Sequence, residues 1–336
     1  MDLATDYMGL ALRNPLVASA SPLSNTVEGV RRLAGAGVGA VVLPSLFEEQ
    51  LLREADVNAR LVDAGTESFA ESLSYFPDAV DEQPGPRRYL SLLERATAAV
   101  DVPVIASLNG VTPGGWLTYA AAMQDAGAAA IELNVYYLPG DPNTSGRDVE
   151  QRYVDVVRKV KDVVTLPLAI KLSPYFSSIG EMAVRLTEAG ADALVLFNRF
   201  LQPDIDPELL TVVPAVGLSH PADARLPRAW IALLRGRVPA ALAATTGVEG
   251  SDDVARYILA GADVVMTASA LLRHGPEHAT SLLDGLAGWM ARKGFMTIDE
   301  VRGLLSVPQG ASEAARERSG YVGAMQAANT SSDGPW

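Results

Sequence analysis

Short apolar runs recur along the chain, separated by amphipathic stretches of helical period. Eight runs of this kind occur, at 16–20, 40–43, 102–108, 130–135, 168–172, 193–197, 240–244 and 264–268. Most are almost continuously apolar instead of alternating, which is typical of parallel strands buried on both faces. The pattern therefore predicts eight parallel strands with helices between them.

The junctions between these helices and strands repeat one signature. Four of them contain glycine where a helix must end, in LAGAGVGAVVL, DAGAAAIEL, EAGADALVL and LAGADVVMT. Glycine accepts the left-handed conformation that terminates a helix at little cost. A repeated helix–turn–strand unit with eight strands favours an α/β chain folded as a (β/α)8 TIM barrel. A doubly wound open sheet is the alternative, but no GxGxxG follows the first strand.

The segments outside this repeat complete the predicted architecture. Residues 1–14 are expected to form an N-terminal hairpin that turns at Met8-Gly9 and closes the lower end of the barrel. Two long connections, 44–101 after the second strand and 198–239 after the sixth, begin on the face where barrels build active sites. Residues 1–305 are expected to form the barrel domain, and 306–336 a partly disordered C-terminal arm.

Composition excludes several classes of function. The formal net charge of −13 disfavours nucleic acid and anionic membrane as partners. The chain has no cysteine, which excludes disulfides, thiolate metal sites and a cysteine base. With no apolar run of about 18 residues and no secretory signal at residues 1–10, we expect a cytoplasmic protein. His274 and His278 are four residues apart but have no third ligand, so no metal site is predicted.

Side chains at the carboxyl ends of barrel strands converge on one site. Here they are mainly amides, hydroxyls and small residues with a single lysine: Ser19, Ala20, Ser21, Ser45, Asn109, Asn134, Tyr136, Tyr137, Lys171, Asn198, Thr246, Gly247, Ala268 and Ser269. The mixture favours a large planar ligand with many hydrogen-bonding edges over hydrolysis. The turns after the last two strands suit a phosphate group, although taken alone they are equally compatible with plain tight turns.

Lys171 stands at a strand end that should be largely buried. A buried lysine is costly unless it is paired or functional. Two uses remain open, a Schiff base with a carbonyl substrate or stabilisation of negative charge on a bound cofactor.

Several segments resemble the dihydroorotate dehydrogenase family, and most closely its single-domain soluble class. They are NPLVASASP at 14–22, IELN at 131–134, IKLSPYF at 170–176, ATTGVEGSDDVARYILAGADVVMTASALLRHGP at 244–276 and GF at 294–295. The resemblance implies an FMN-binding barrel that takes a proton from one carbon of a small cyclic polar substrate and passes a hydride from its neighbour to flavin N5. It also implies a second electron acceptor and a homodimer.

The resemblance carries roles onto individual residues. Lys171 would stabilise the reduced flavin at its N1/O2 edge, Asn134 would lie at flavin and substrate, and Asn198 would hold the substrate ring. By the same resemblance, Ser19, Ala20 and Ser21 would lie beside the flavin, and the phosphate would be held by Ser219, Thr246, Gly247, Ala268 and Ser269. Two further cofactor-binding residues, Ser45 and Asn109, are predicted from their position at neighbouring strand ends.

The loop after Asn134 departs from the family. The family keeps a cysteine or serine base there, whereas this chain has Tyr137, with Tyr136 beside it as a predicted substrate contact. An unperturbed tyrosine has a pKa of about 10, so less than about 1% is ionised at neutral pH. Tyr137 therefore remains open between an acid/base role and a pocket wall. Pro44 replaces a lysine of the single-domain class, and the segment 71–78 lacks an asparagine of the family.

These departures leave several functions open. Dihydroorotate is the default substrate, and a divergent paralogue acting on a different substrate is the alternative. A flavin-free barrel lyase or aldolase using Lys171 is a hypothesis of another class. A flavin-binding protein without turnover is the third.

Overall fold

The computed structural model describes residues 1–48, 85–110, 116–137, 139–199, 204–213, 217–308, 310, 320–323 and 325–326. The strands are β1 (Thr5–Tyr7), β2 (Leu10–Leu12), β3 (Leu16–Ala18), β4 (Ala40–Phe47), β5 (Val104–Gly110), β6 (Ala130–Val135), β7 (Leu168–Leu172), β8 (Ala193–Leu196), β9 (Asp204–Asp206), β10 (Thr211–Val213), β11 (Ala241–Ala244) and β12 (Val264–Thr267). The α-helices are α1 (Val27–Gly35), α2 (Pro86–Thr97), α3 (Trp116–Asp125), α4 (Gly146–Lys161), α5 (Ile179–Glu188), α6 (Arg225–Leu234), α7 (Ser251–Ala260), α8 (Ser269–His274), α9 (His278–Lys293) and α10 (Ile298–Val301).

Eight parallel strands close into a barrel in the order β3-β4-β5-β6-β7-β8-β11-β12. The predicted (β/α)8 fold is therefore confirmed. The ends of the predicted strands agree with the structure within two residues, except at β4. The junction glycines end their helices as expected, because all four have positive φ: Gly37, Gly127, Gly190 and Gly261.

Alternation along each barrel strand sorts its side chains into two cores. On β6, Ile131, Leu133 and Val135 pack into the layer between the strands and the helices. Ala130 belongs instead to the cluster that fills the barrel interior. Because successive side chains of a strand point to opposite faces, Glu132 and Asn134 also face the interior. This alternation decides which polar residues can reach the site.

The N-terminal hairpin closes the amino-terminal end of the barrel. β1 and β2 pair antiparallel around Met8 and Gly9, whose φ values of 57° and 78° match the two-residue turn that suits a hairpin. The side chains of Tyr7, Met8 and Leu12 pack into the interior cluster. They meet a ring of small residues there, Ala40, Ala130, Ala169, Ala193 and Ala243. The predicted hairpin and its position are thus confirmed.

Strand β4 differs from its prediction. It continues to Phe47 instead of ending at Leu43, and its register on β5 shifts between Val42 and Ser45. Pro44 lies at this irregularity, as expected for a residue without an N–H to give to the ladder. The prediction that the connection begins at residue 44 was wrong, because an apolar run does not reveal a strand that continues through proline. Most of that connection, including 71–78, lies outside the described residues.

The connection after β8 contains a hairpin that hydrophobic periodicity did not indicate. β9 and β10 pair antiparallel with Asp204 opposite Val213. A 3-10 turn at Pro221–Ala224 then leads into α6. The predicted C-terminal arm, 306–336, lies largely outside the described residues. Among the helices that the structure describes, none is long and apolar enough to cross a membrane.

Candidate active site

A layer of polar side chains lies inside the barrel, at the level of Lys171 on β7. It lies above the interior cluster that Tyr7, Met8 and Leu12 of the hairpin complete, which we call the plug. Lys171 is 9% exposed, and its Nζ donates to Glu132 Oε1 on β6 at 3.3 Å. Glu132 itself is only 1% exposed. The sequence analysis expected Lys171 to be buried but missed its partner. The signal was available, since Glu132 is a charged residue in an apolar run, two positions before Asn134 and therefore on the same face.

Two amides meet at the next level of the site. Asn198 Nδ2 donates to Asn134 Oδ1 at 2.8 Å, which joins residues 64 positions apart in the chain. Asn134 is buried, and Asn109 lies beside it on β5 in the register of the sheet. The structure thus brings together three of the predicted amides next to Lys171, which pairs in register with Asn134.

The ends of β11 and β12 form a compact cradle of donors. The backbone N–H and the Oγ of Ser219 both donate to Ser269 Oγ at 3.0 Å. Gly247 N–H donates to Ser219 Oγ, also at 3.0 Å. Gly247 has φ of +73°, and a Cβ there would lie 2.6 Å from Ala224 N. Only glycine fits this position, so the cradle requires the glycine that the sequence placed there.

Arg273 and Glu249 stabilise the cradle through ionic contacts. Arg273 Nη2 donates to the carbonyl of Ser219 at 2.8 Å, and its Nη1 donates to Glu249. His274 Nε2 lies 2.6 Å from Glu249 Oε1. Hydrogen bonds from His274 and then from Arg273 lower the pKa of Glu249 below its usual value. The Glu249 carboxylate therefore stays ionised in mildly acidic solution and continues to orient Arg273.

His274 and His278 both contact Glu249. His278 Nε2 lies 2.9 Å from the carbonyl of Glu249, and the rings of His274 and His278 are 4.7 Å apart. Among the described residues, no group of three histidine, aspartate or glutamate side chains is arranged to hold a metal ion. The two histidines thus pack around the loop that carries Glu249.

The two tyrosines after β6 occupy different environments. Tyr137 packs against the layer between strands and helices, where the guanidinium of Arg152 lies 4.2 Å from its ring centroid. Tyr136 is half-buried. Below them, the hydroxyl of Tyr153 donates to the carbonyl of Val135 at 3.0 Å, and burial raises its pKa to about 12. Asn143, further along the same loop, is exposed, and its Nδ2 donates to Asp141 Oδ1 at 3.0 Å.

The opposite side of the site includes the ends of β3 and β4. Ser19 is buried, and its N–H donates to the carbonyl of Thr267 at 3.0 Å. Beyond it, a cavity of about 730 Å³ opens at the ends of β3 and β4. Its lining includes Ala20, Ser21 and Ser45, three of the residues predicted to bind cofactor. Ser45 Oγ lies 2.8 Å from Ser107 Oγ, which ties the end of β4 to the polar layer.

The sequence pattern of the dihydroorotate dehydrogenase family matches residues 2–290. The chain belongs to the dihydroorotate dehydrogenase family. Its members are flavoproteins, and family membership makes the chain a dehydrogenase that acts on CH–CH bonds. The sequence-based family assignment is confirmed.

Three similar proteins carry three different names. The chain is 30% identical over 321 residues to the catalytic subunit of dihydroorotate dehydrogenase B (NAD+) of Methanothermobacter thermautotrophicus, covering 90% of this chain and 98% of that one. It is 29% identical to a putative dihydroorotate dehydrogenase A (fumarate) of Aeropyrum pernix, covering 73% and 88%. It is 25% identical to the PreA subunit of the NAD-dependent dihydropyrimidine dehydrogenase of Escherichia coli, covering 90% and 76%.

Proposed function

We propose that the protein is an FMN-dependent oxidoreductase that transfers a hydride between a small cyclic polar substrate and flavin N5. Dihydroorotate is the default substrate. The observation that carries the proposal is the grouping of a buried lysine, an asparagine pair and a hydroxyl-rich cradle at one end of the barrel. This donor set matches a phosphorylated planar cofactor with a charge-bearing ring edge.

The residues around the cradle would hold the phosphate of FMN. Hydroxyls and backbone N–H groups at tight turns bind phosphate well. We assign this role to Ser219, Thr246, Gly247, Ala268 and Ser269. Ser19, Ala20, Ser21, Ser45 and Asn109 would lie along the flavin ring. When bound, FMN supplies the hydride acceptor. The residues of the chain bind the cofactor, orient the substrate and exchange protons with it.

Lys171 is better suited to charge stabilisation than to covalent chemistry. A Schiff base needs an amine that is free to attack a carbonyl carbon, whereas Lys171 Nζ is held by the Glu132 carboxylate 3.3 Å away. An ammonium ion held at the end of β7 would stabilise negative charge on the flavin ring edge. The contact therefore favours the oxidoreductase over the aldolase hypothesis. Asn134 and Asn198, already hydrogen-bonded to each other, would orient the substrate.

The alternating side-chain directions along β6 suggest different roles for Tyr136 and Tyr137. Val135 packs outward, so the same alternation carried one residue further would direct Tyr136 towards the site. Tyr137, stacked under Arg152, would then be the wall of the pocket. We assign proton exchange with the substrate to Tyr136.

Replacing each tyrosine by phenylalanine should separate these roles. Tyr136→Phe should slow anaerobic flavin reduction by about 10²–10³-fold, because general acid/base catalysis is usually worth about 10²–10⁴. Tyr137→Phe should slow it only a few-fold, since its ring and its contact with Arg152 remain. Stopped-flow absorbance of the bound flavin measures both. The reverse order of effects would assign the proton to Tyr137 instead.

The substrate is tested by anaerobic mixing with dihydroorotate and, in parallel, with dihydrouracil. The second compound represents the dihydropyrimidine class named in the PreA relative. Purified protein incubated with FMN and then desalted should keep the yellow colour of bound flavin, and the active substrate should bleach it. A protein that is colourless after unbound FMN has been removed would contradict the proposal, and trapping of a carbonyl substrate by borohydride would then favour the aldolase.

The remaining proposals concern the wider reaction. A second electron acceptor must reoxidise the flavin, and NAD+ is the acceptor named for the dihydroorotate dehydrogenase B relatives. We also propose a homodimer in the cytoplasm. Light scattering of the purified protein measures the assembly directly.

A further inference from the structure

Glu132 is an unusual buried carboxylate. It lies inside the barrel, level with Ser107 on β5 and Ala169 on β7, and is 1% exposed. Its Oε1 contacts Lys171 Nζ at 3.3 Å, while its Oε2 has no hydrogen-bond partner among the described residues. A carboxylate in this position is costly unless it is fully paired, so its single contact calls for an explanation.

Neighbouring hydroxyls leave this carboxylate unsatisfied. Tyr89 Oη accepts from Ser107 N at 2.8 Å and donates to Ser107 O at 3.3 Å, so its hydrogen bonds are already used. Tyr7 Oη, in the plug below, is buried and has no partner among the described residues. The pKa of Tyr7 is raised well above its usual value, first by burial and then by the charge of Glu132. Among the described residues, no hydroxyl donates to Glu132 Oε2.

Glu150 is a second buried glutamate, and its hydrogen bonds are those of a residue with a structural role. Glu150 Oε1 accepts from both the N–H and the Oγ of Ser177, at 3.1 and 2.6 Å. Its Oε2 lies 3.7 Å from Arg185 Nη1. Both of its oxygens therefore have partners. Among the described residues, Glu132 by contrast has one hydrogen-bond partner, the Lys171 ammonium that faces the site.

We propose that Glu132 is a positioning residue that sets the charge which Lys171 presents to the flavin. This inference rests on the proposed FMN-dependent function. The carboxylate draws the ammonium inward and partly cancels its charge, so the reduced, negatively charged flavin is stabilised less than a lone lysine would stabilise it. Glu132 thereby holds the reduction potential of the flavin low.

Glu132→Gln tests this inference through the flavin potential. Removal of the negative charge should raise the affinity for reduced FMN relative to oxidised FMN by about tenfold, which is about 30 mV for a two-electron couple. Glu150→Gln removes a comparably buried carboxylate outside the barrel and should leave the potential unchanged. Glu132→Asp keeps the charge and should remain near the wild-type value. Spectroelectrochemical titration of bound FMN measures all three.

A purely structural role would appear differently. In that case Glu132→Gln would melt at a lower temperature with an unchanged potential, and this inference would be overturned. If Glu132→Gln does not fold, Lys171→Met and Lys171→Met/Glu132→Gln complete the comparison: the double variant should have the higher potential, and equal potentials would overturn the inference. Absence of FMN binding by the wild type would overturn the proposed function as well, whereas bound FMN with an unchanged potential overturns only the role of Glu132.

Discussion

Replacing Lys171 by methionine should cost about 3–5 kcal/mol of folding free energy, because the Glu132 carboxylate would stay buried without its cation. The same variant should bind reduced FMN at least about tenfold more weakly relative to oxidised FMN, since the positive charge that Lys171 places in the polar layer is removed. Urea unfolding followed by circular dichroism measures the first effect, and the flavin potential the second.

Two controls make this result specific. Lys171→Met/Glu132→Gln removes both charges, so it should recover most of the stability and have a higher flavin potential than Lys171→Met. Lys161→Met breaks a pair with Asp192 whose side chains are 26% and 41% exposed, and it should cost at most about 1 kcal/mol. A Lys171→Met protein as stable as the wild type would show that Glu132 carries no buried charge.

Replacing Gly247 by alanine should abolish tight FMN binding. Its φ of +73° already strains any other residue, and the added Cβ would lie 2.6 Å from Ala224 N and 2.8 Å from His220 O. The turn must move, which pulls the Gly247 N–H away from Ser219. We expect a loss of about 3 kcal/mol of stability and of about 100-fold in FMN affinity, as lost bonds to a charged phosphate would produce.

Gly250→Ala is the matched control in the same loop. A Cβ at Gly250 would meet no atom within 4 Å, and its N–H to Asp253 is kept. It should change stability by no more than about 1 kcal/mol and leave FMN affinity unaltered. Fluorescence titration of FMN with the purified apoproteins measures both variants. Wild-type FMN affinity in Gly247→Ala would place the phosphate elsewhere.

Features that depend on neighbours in the chain were predictable. The barrel strands follow from continuous apolar runs, and the helix ends follow from glycines that adopt positive φ. The burial of Lys171 was predictable too, because both faces of a barrel strand are buried. Gly247 was recognisable as a turn residue for the same local reason.

Features that depend on register between distant strands were not predictable. The extension of β4 to Phe47 arises from a shift in its pairing with β5. The ion pair of Lys171 with Glu132 joins residues 39 positions apart on adjacent strands. The environment of Tyr137 depends on where α4 places Arg152.

The sequence by itself determined the barrel, the family and the list of polar residues at the strand ends, because hydrophobic period and glycine positions act over a few residues. Only the tertiary structure decided how that list is used. It paired Glu132 with Lys171, Asn134 with Asn198 and Ser219 with Ser269, and it turned Tyr137 towards the helices. Such contacts depend on the closure and stagger of the whole barrel, which no local stretch of sequence encodes.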